Sequence, residues 1–343
     1  MSDIPEADRR ADAPHPRDTF DLLGHERAEQ VFLKAIASGR LHHAWLITGA
    51  SGIGKATLAY RMIRHLLGGR SLLETSLDIP ESDPVAGRIS ARGHGNLHVV
   101  TRPYDTKTKK LKSEVPVASI RALTDFFHET AAESGLPRIG LIDKADELNT
   151  SSENAVLKLL EEPPEQGMLF LLADSPGQLL PTIRSRCLNL DLRPVPTAQL
   201  RPWLASRTEL GDRLDRVVWL ARGAPGLALA WAKDDVAMKA IDQFASILAD
   251  PRATKPVQLV QPLVGVKARD SRDLFWGGVQ DLLSAASAQA GGADWTAPFP
   301  EPRASESWRS LWQQSLERER VTDEINMDAR AALLDLISDA RAA

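Results

Sequence analysis

Trp45-Leu46-Ile47-Thr48-Gly49-Ala50-Ser51-Gly52-Ile53-Gly54-Lys55-Ala56-Thr57-Leu58-Ala59 decides the fold class. The apolar run 45–48 stops at a glycine, as a buried strand does. A helical period then resumes at Thr57 and runs to Leu66-Leu67, where Gly68-Gly69 ends it. Strand, glycine loop and helix in succession predict an α/β fold with a parallel sheet covered on both faces. The loop matches the phosphate-cradling pattern G-x-x-x-x-G-K-[ST] at Gly49, Gly54 and Lys55, with Gly52 as a further flexible joint. Glycines let backbone N–H groups turn inward around phosphate oxygens, and the helix N-terminus behind them favours negative charge.

The last position of the pattern holds Ala56, whose methyl group cannot ligate Mg²⁺ as a hydroxyl does. Thr57 offers the next hydroxyl, but one residue along a helix turns a side chain by roughly 100°. Two readings stay open: a loop that binds nucleotide and hydrolyses it poorly, and an inherited turn that holds none.

Outward from the loop, Phe20–Gly39 carries Leu22, Leu23, Ala28, Val31, Phe32, Ala35 and Ile36 at helical spacing. His98-Val99-Val100, Arg138–Ile142 and Met168–Leu172 read as further strands. Residues 119–133 form an amphipathic helix, and Thr150 with Glu153 reads as a capping box for a helix that Pro163-Pro164 stops. The strand 138–142 delivers Asp143 to where a metal-facing carboxylate belongs. The next residue, where a water-orienting glutamate is expected in an ATPase of this architecture, is Lys144. Ala56 and Lys144 thus remove two of the parts that hydrolysis most needs.

The chain has 343 residues, enough for two or three domains. Its formal charge of −4 excludes a global positive field for nucleic acid. Any DNA contact then comes from a local patch or from partner subunits. The cluster Lys107, Lys109, Lys110 and Lys112 reads better as a solvated hairpin tip, because Asp105 and Glu114 flank it. The single cysteine, Cys187, excludes an internal disulfide and any multi-cysteine metal cluster, and reads as a small buried residue. Residues 68–95 read as an irregular insertion, and His94 and His98, four positions apart, read as exposed residues and not as metal ligands. No stretch approaches the roughly 18 apolar residues of a membrane span, and the N-terminus lacks a signal-peptide core, which points to the cytoplasm and away from membranes.

Three further stretches carry a family resemblance: Arg40-Leu41-His42-His43-Ala44-Trp45-Leu46, Asn154 to Pro164 (NAVLKLLEEPP), and Leu179 to Cys187 (LLPTIRSRC). With the loop, they resemble the delta-prime-type subunits of bacterial DNA polymerase III clamp loaders, within the AAA+ superfamily. The likeness is close over residues 20–195 and thins to helix content beyond. It implies an AAA+ domain over 19–195, a helical lid over 196–240 and a helical collar over 241–343, and the leader over 1–18 reads as disordered because it carries few large apolar side chains. In the collar, Trp308, Leu311, Trp312 and Leu316 would form one apolar stripe.

The resemblance further implies a stator: a subunit with little or no ATPase of its own. Its Arg186, in the triplet Ser185-Arg186-Cys187, would reach ATP on a neighbouring motor subunit as an arginine finger, with Arg184 as second candidate. Gly226 stands where motor subunits carry the lid's sensing arginine. The implied partners are the motor subunits and the delta subunit, with the sliding clamp and primer-template DNA met through the assembled ring. No cofactor of its own is required and no zinc is expected, since the four-cysteine insert of related subunits is missing. Whether ATP occupies the chain's own loop stays open. The alternative is a self-contained AAA+ ATPase of recombination or repair, working through Lys55 and Thr57. A transcription regulator with an AAA+ core would need a DNA-reading helix–turn–helix, and none is recognisable.

Overall fold

A computed structural model describes residues 6–9, 13–73, 75–107, 110–129, 132–265, 268–324 and 328–343, without the side chains of 322–324. The chain divides into two compact units. The first runs to Gln199 and takes in Ala224–Gly226; the second holds Leu200–Gly223 and Leu227–Ala343.

The first unit contains, in chain order, α1 (Glu26–Ala37), β1 (Ala44–Thr48), α2 (Lys55–Leu66), α3 (Pro84–Ser90), β2 (Leu97–Val100), β3 (Tyr104–Asp105), β4 (Lys110–Leu111), α4 (Val117–His128), β5 (Arg138–Ile142), α5 (Thr150–Glu161), β6 (Gly167–Ala173), α6 (Pro181–Ser185) and β7 (Leu188–Asp191). Five strands form one sheet in the order β2-β5-β6-β1-β7, and every pairing in it is parallel. Because side chains alternate across a strand, β1 sends Trp45 and Ile47 to one face and Ala44 and Leu46 to the other. Trp45 and Ile47 join Leu58, Ile63 and Phe170 in one apolar layer. Leu46 joins Ile120, Leu123, Val156 and Leu171 in the other. That double burial is what a parallel sheet requires.

The structure corrects several expectations. β7 is a fifth strand that the apolar pattern did not reveal: Leu188-Asn189-Leu190-Asp191 is short and alternating, and pairs with Trp45–Thr48 of β1. The cap of α5 is Asn149, whose Oδ1 accepts from the Ser152 N–H at 3.0 Å. Glu153, expected in a capping box, accepts instead from the Leu180 N–H at 3.2 Å and ties α5 to the start of α6. His94 is buried, not exposed. In the described part of the leader, several groups have definite partners. His15 is buried with its ring edge-on to Tyr60 at 6.2 Å, and the Arg17 carbonyl accepts from the Arg64 guanidinium. Specific polar partners hold this segment, which has too few apolar side chains for composition to predict order.

The expected hairpin is present in β3 and β4, which pair antiparallel with Tyr104 opposite Leu111. Lys109 lies outside the described residues.

In the second unit α7 (Thr197–Ala205, entering from the first), α8 (Leu214–Leu220), α9 (Pro225–Lys233), α10 (Asp235–Ala249), α11 (Pro256–Val260), α12 (Arg269–Ala290), α13 (Trp308–Glu324) and α14 (Ala329–Ala342) follow one another. The expected lid–collar boundary at 240/241 falls inside α10, whose buried Ala237, Ala240, Ile241 and Phe244 run on unbroken by Gly or Pro. The stripe on α13 is also displaced. Trp308 and Leu311 are buried together with Ser315, whereas Leu316 is exposed. Gly278 of α12 is required by packing: a Cβ there would stand 3.0 Å from Ile241 and 3.1 Å from Trp231. Among the described residues no helix is long and apolar enough to cross a membrane.

Phe170 lies at the centre of the sheet with no solvent exposure. Phe170→Ala therefore lowers unfolding stability by about 3–5 kcal/mol in a denaturant titration. Leu72→Ala, at an exposed position, changes it by no more than about 0.5 kcal/mol.

Candidate functional site

The phosphate loop lies between β1 and α2, as its sequence predicts. Its geometry needs glycine: Gly49, Gly52 and Gly54 have φ of 146°, 78° and 115°. At Gly49 a Cβ would also meet the Leu192 carbonyl oxygen at 2.7 Å.

Lys55, the first residue of α2, is only 7% exposed. Its ammonium donates to the carbonyls of Gly49 at 2.8 Å and Ala50 at 3.1 Å, and to the Asp174 carboxylate. An ammonium carries three donors, so Lys55 is fully satisfied inside the protein. Two further loop carbonyls are held as well. Gly52 accepts from the Gly226 N–H at 2.8 Å, and Ile53 accepts from the His25 imidazole at 3.0 Å. Burial pushes the His25 pKa down, which favours the neutral ring.

Asp174 follows β6 directly and is the partner that sequence reasoning missed. Its position is fixed by Asp146, whose Oδ2 accepts from the backbone N–H of Asp174 at 3.0 Å and of Ser175 at 2.7 Å. Lys144 has a left-handed backbone with φ 57°. It directs its ammonium at Glu147, 3.4 Å away, and at Asp174, 4.0 Å away. The position of the expected water-orienting carboxylate thus holds a cation already paired with acids. Of this set, only an acidic residue just after a strand could have been noticed in advance, and a single aspartate is a weak signal.

Asp143 follows the last residue of β5, where the sequence predicts it. Burial, followed by the nearby Asp8 carboxylate, raises its pKa from an ordinary 3.8 to about 7. Thr57 lies in the first turn of α2, two residues beyond Lys55. Gly226 explains itself sterically: a Cβ there would lie 2.9 Å from the Gly52 oxygen, so the backbone that meets the loop leaves no room for a side chain. These residues do not fit a hydrolytic Mg²⁺–nucleotide site. The hydroxyl is missing at 56, a cation stands at 144, and the loop lysine is already neutralised.

Arg186 stands elsewhere on the first unit, as the C-cap residue of α6. Its guanidinium donates to the Thr182 carbonyl at 3.2 Å and pairs with Glu161, the last residue of α5, at 2.9 Å. Its side chain keeps 38% exposure. Arg184, the second candidate, is half-buried, and its Nε has no hydrogen-bond partner among the described residues. Cys187 is buried, and burial raises its thiol to about 12, which suits packing and not nucleophilic attack.

The raised Asp143 pKa has a measurable consequence. Between pH 4 and 7 the native state holds a proton that the unfolded chain has released, so the Asp143 contribution to stability is lost as pH rises through that window. Asp143→Asn removes this slope. Its melting temperature exceeds that of the parent chain above pH 7 and converges with it near pH 4, as thermal unfolding across a pH series will register.

Comparison with known proteins places this site in a family. The family described as DNA polymerase III, delta subunit, matches residues 24–196, half of the chain, including both the loop and the Ser-Arg-Cys triplet. The DNA polymerase III subunit delta' of Escherichia coli K12 is 33% identical over 210 residues, 60% of this chain and 59% of that protein. The delta' subunit of Bacillus subtilis is 32% identical over 169 residues, 49% of this chain and 47% of that one. The tau subunit of E. coli is 28% identical over 302 residues, 83% of this chain and 42% of that protein. The chain therefore spans about half of the length of the curated relatives it matches. A solved DNA polymerase III gamma subunit-related protein from Thermotoga maritima superposes with a TM-score of 0.48 at 16% identity, over 92% of this chain and 99% of that one. The family match over half of the chain, together with the delta' relatives, shows that the chain belongs to the DNA polymerase III delta-prime family.

Proposed function

We propose that this chain is a non-hydrolysing subunit of a DNA polymerase III clamp-loading assembly in the cytoplasm. In that role it lends Arg186 to ATP bound on a neighbouring ATPase subunit while the assembly places a sliding clamp on primer-template DNA. The observation that carries this reading is the internal neutralisation of Lys55 by Asp174 and two loop carbonyls. A loop whose lysine already has its counter-charge keeps its shape with no phosphate present, which is the property of a rigid member and not of a motor. The proposed partners are ATPase subunits of the gamma/tau type and a delta subunit. The chain needs no cofactor of its own for this role.

The arginine suits the task chemically. A planar, permanently charged guanidinium can neutralise charge that develops on a phosphoryl group in transfer. Where such fingers have been measured they are worth about 10³–10⁵ in rate at the site they face.

The second reading, a self-contained ATPase of recombination or repair, rests on the intact strand–loop–helix and on Thr57. It requires Mg·ATP turnover by the isolated chain that Lys55→Ala abolishes, and the proposed role predicts no turnover in either protein.

In an assembly reconstituted with its partners, Arg186→Ala leaves complex formation unchanged by gel filtration and lowers DNA-stimulated ATP turnover. Unchanged turnover in a fully assembled complex overturns the finger assignment.

A further inference from the structure

The Arg186 side chain leaves the backbone at a point that the fold holds firmly. Ile183 and Cys187, on either side of it in sequence, are buried in the layer that also contains Val156, Leu159 and Leu160 of α5. The Leu180 N–H donates to Glu153 of α5, so α5 and α6 are joined by a hydrogen bond as well as by packing. The base of the arginine is therefore fixed relative to α5, and only its long side chain is left to order.

Two contacts order it. One guanidinium nitrogen donates to the Thr182 carbonyl at 3.2 Å, and the other pairs with Glu161 at 2.9 Å. A guanidinium has five N–H donors, and these two contacts, the ones it makes among the described residues, leave three for an anionic ligand. Glu161 is placed against its own helix. It is the last residue of α5, where the negative end of the helix dipole disfavours a carboxylate. A residue in that place gains from a cation beside it, and Arg186 is that cation.

We infer that Glu161 is a positioning residue for Arg186: it holds the guanidinium in the orientation from which the remaining donors reach the phosphate of a nucleotide on the adjoining subunit. This rests on the reading of Arg186 as the finger. The gain is in orientation. A free arginine side chain would lose its rotamer freedom at the moment of phosphoryl transfer, whereas the paired one has lost it beforehand. The effect belongs to the transition state, so it falls on kcat and leaves the KM for ATP unchanged.

The test uses the assembly reconstituted with its ATPase and delta subunits, with DNA-stimulated turnover measured over a range of ATP concentrations. Glu161→Ala lowers the Arg186-dependent part of kcat by about 3- to 5-fold, the scale that an exposed ion pair can enforce, with KM unchanged. Glu161→Gln, which keeps an acceptor without the charge, falls between Glu161→Ala and the parent. In an Arg186→Ala background Glu161→Ala causes no further loss, because it acts only through the arginine. If Arg186→Ala slows turnover and Glu161→Ala does not, the positioning role fails and the finger stands. An equal loss from Glu161→Ala with and without Arg186 also overturns the positioning role, since it would mark a general structural effect. If Arg186→Ala itself has no effect on an intact assembly, the finger and the positioning role fall together.

Discussion

A lysine ammonium confined within a glycine loop must be neutralised there, because an unpaired buried charge is far more costly than any single contact nearby. The first unit meets this constraint at Lys55 with two loop carbonyls and the Asp174 carboxylate. Much of the site's architecture serves that solution. Asp146 holds the backbone of residues 174–175 in place, and Lys144 approaches Asp174 from the other side. The Gly52 and Ile53 carbonyls are taken up by Gly226 and His25. The Lys55 ammonium and the Gly52 and Ile53 carbonyls thus find their partners within the chain itself.

That closure sets the loop apart from Arg186, the proposed finger. The loop contributes a stable junction between β1 and α2, the central connection of the sheet. Arg186 caps the C-terminus of α6 and is held by Thr182 and Glu161. A subunit with this division can serve a neighbour's chemistry without running a cycle of its own, since nothing in its own loop has to change for Arg186 to remain in place. The buried thiol of Cys187 and the packed side chain of Ile183 contribute rigidity to the triplet, and Arg186 is the member that reaches solvent.

The features legible in the sequence were those encoded by local pattern. The strand–loop–helix, the strand ending at Asp143 and the missing hydroxyl at Ala56 each follow from a few neighbouring residues. The Ser-Arg-Cys triplet was legible through family resemblance. What escaped was long-range pairing. Asp174 lies 119 positions from Lys55 and Glu161 lies 25 positions from Arg186, and neither carries a local signature that names its partner. β7 escaped because a four-residue edge strand has too short a period to stand out. The docked N-terminal segment escaped because its anchors are a histidine and backbone carbonyls, to which a count of apolar residues is blind. Gly226 was noticed as a missing arginine, yet the reason for a glycine there, the approach to the Gly52 oxygen, exists only in three dimensions.

The central claim is that Asp174 supplies the negative charge that a phosphate would otherwise bring to Lys55. Equilibrium binding of Mg·ATP to the purified chain, measured by calorimetry for the parent and for Asp174→Asn, tests it most directly. The account predicts no saturable binding by the parent up to millimolar ATP, and a gain of binding in Asp174→Asn that Lys55→Ala removes. Micromolar binding by the parent that Asp174→Asn leaves unchanged would contradict it.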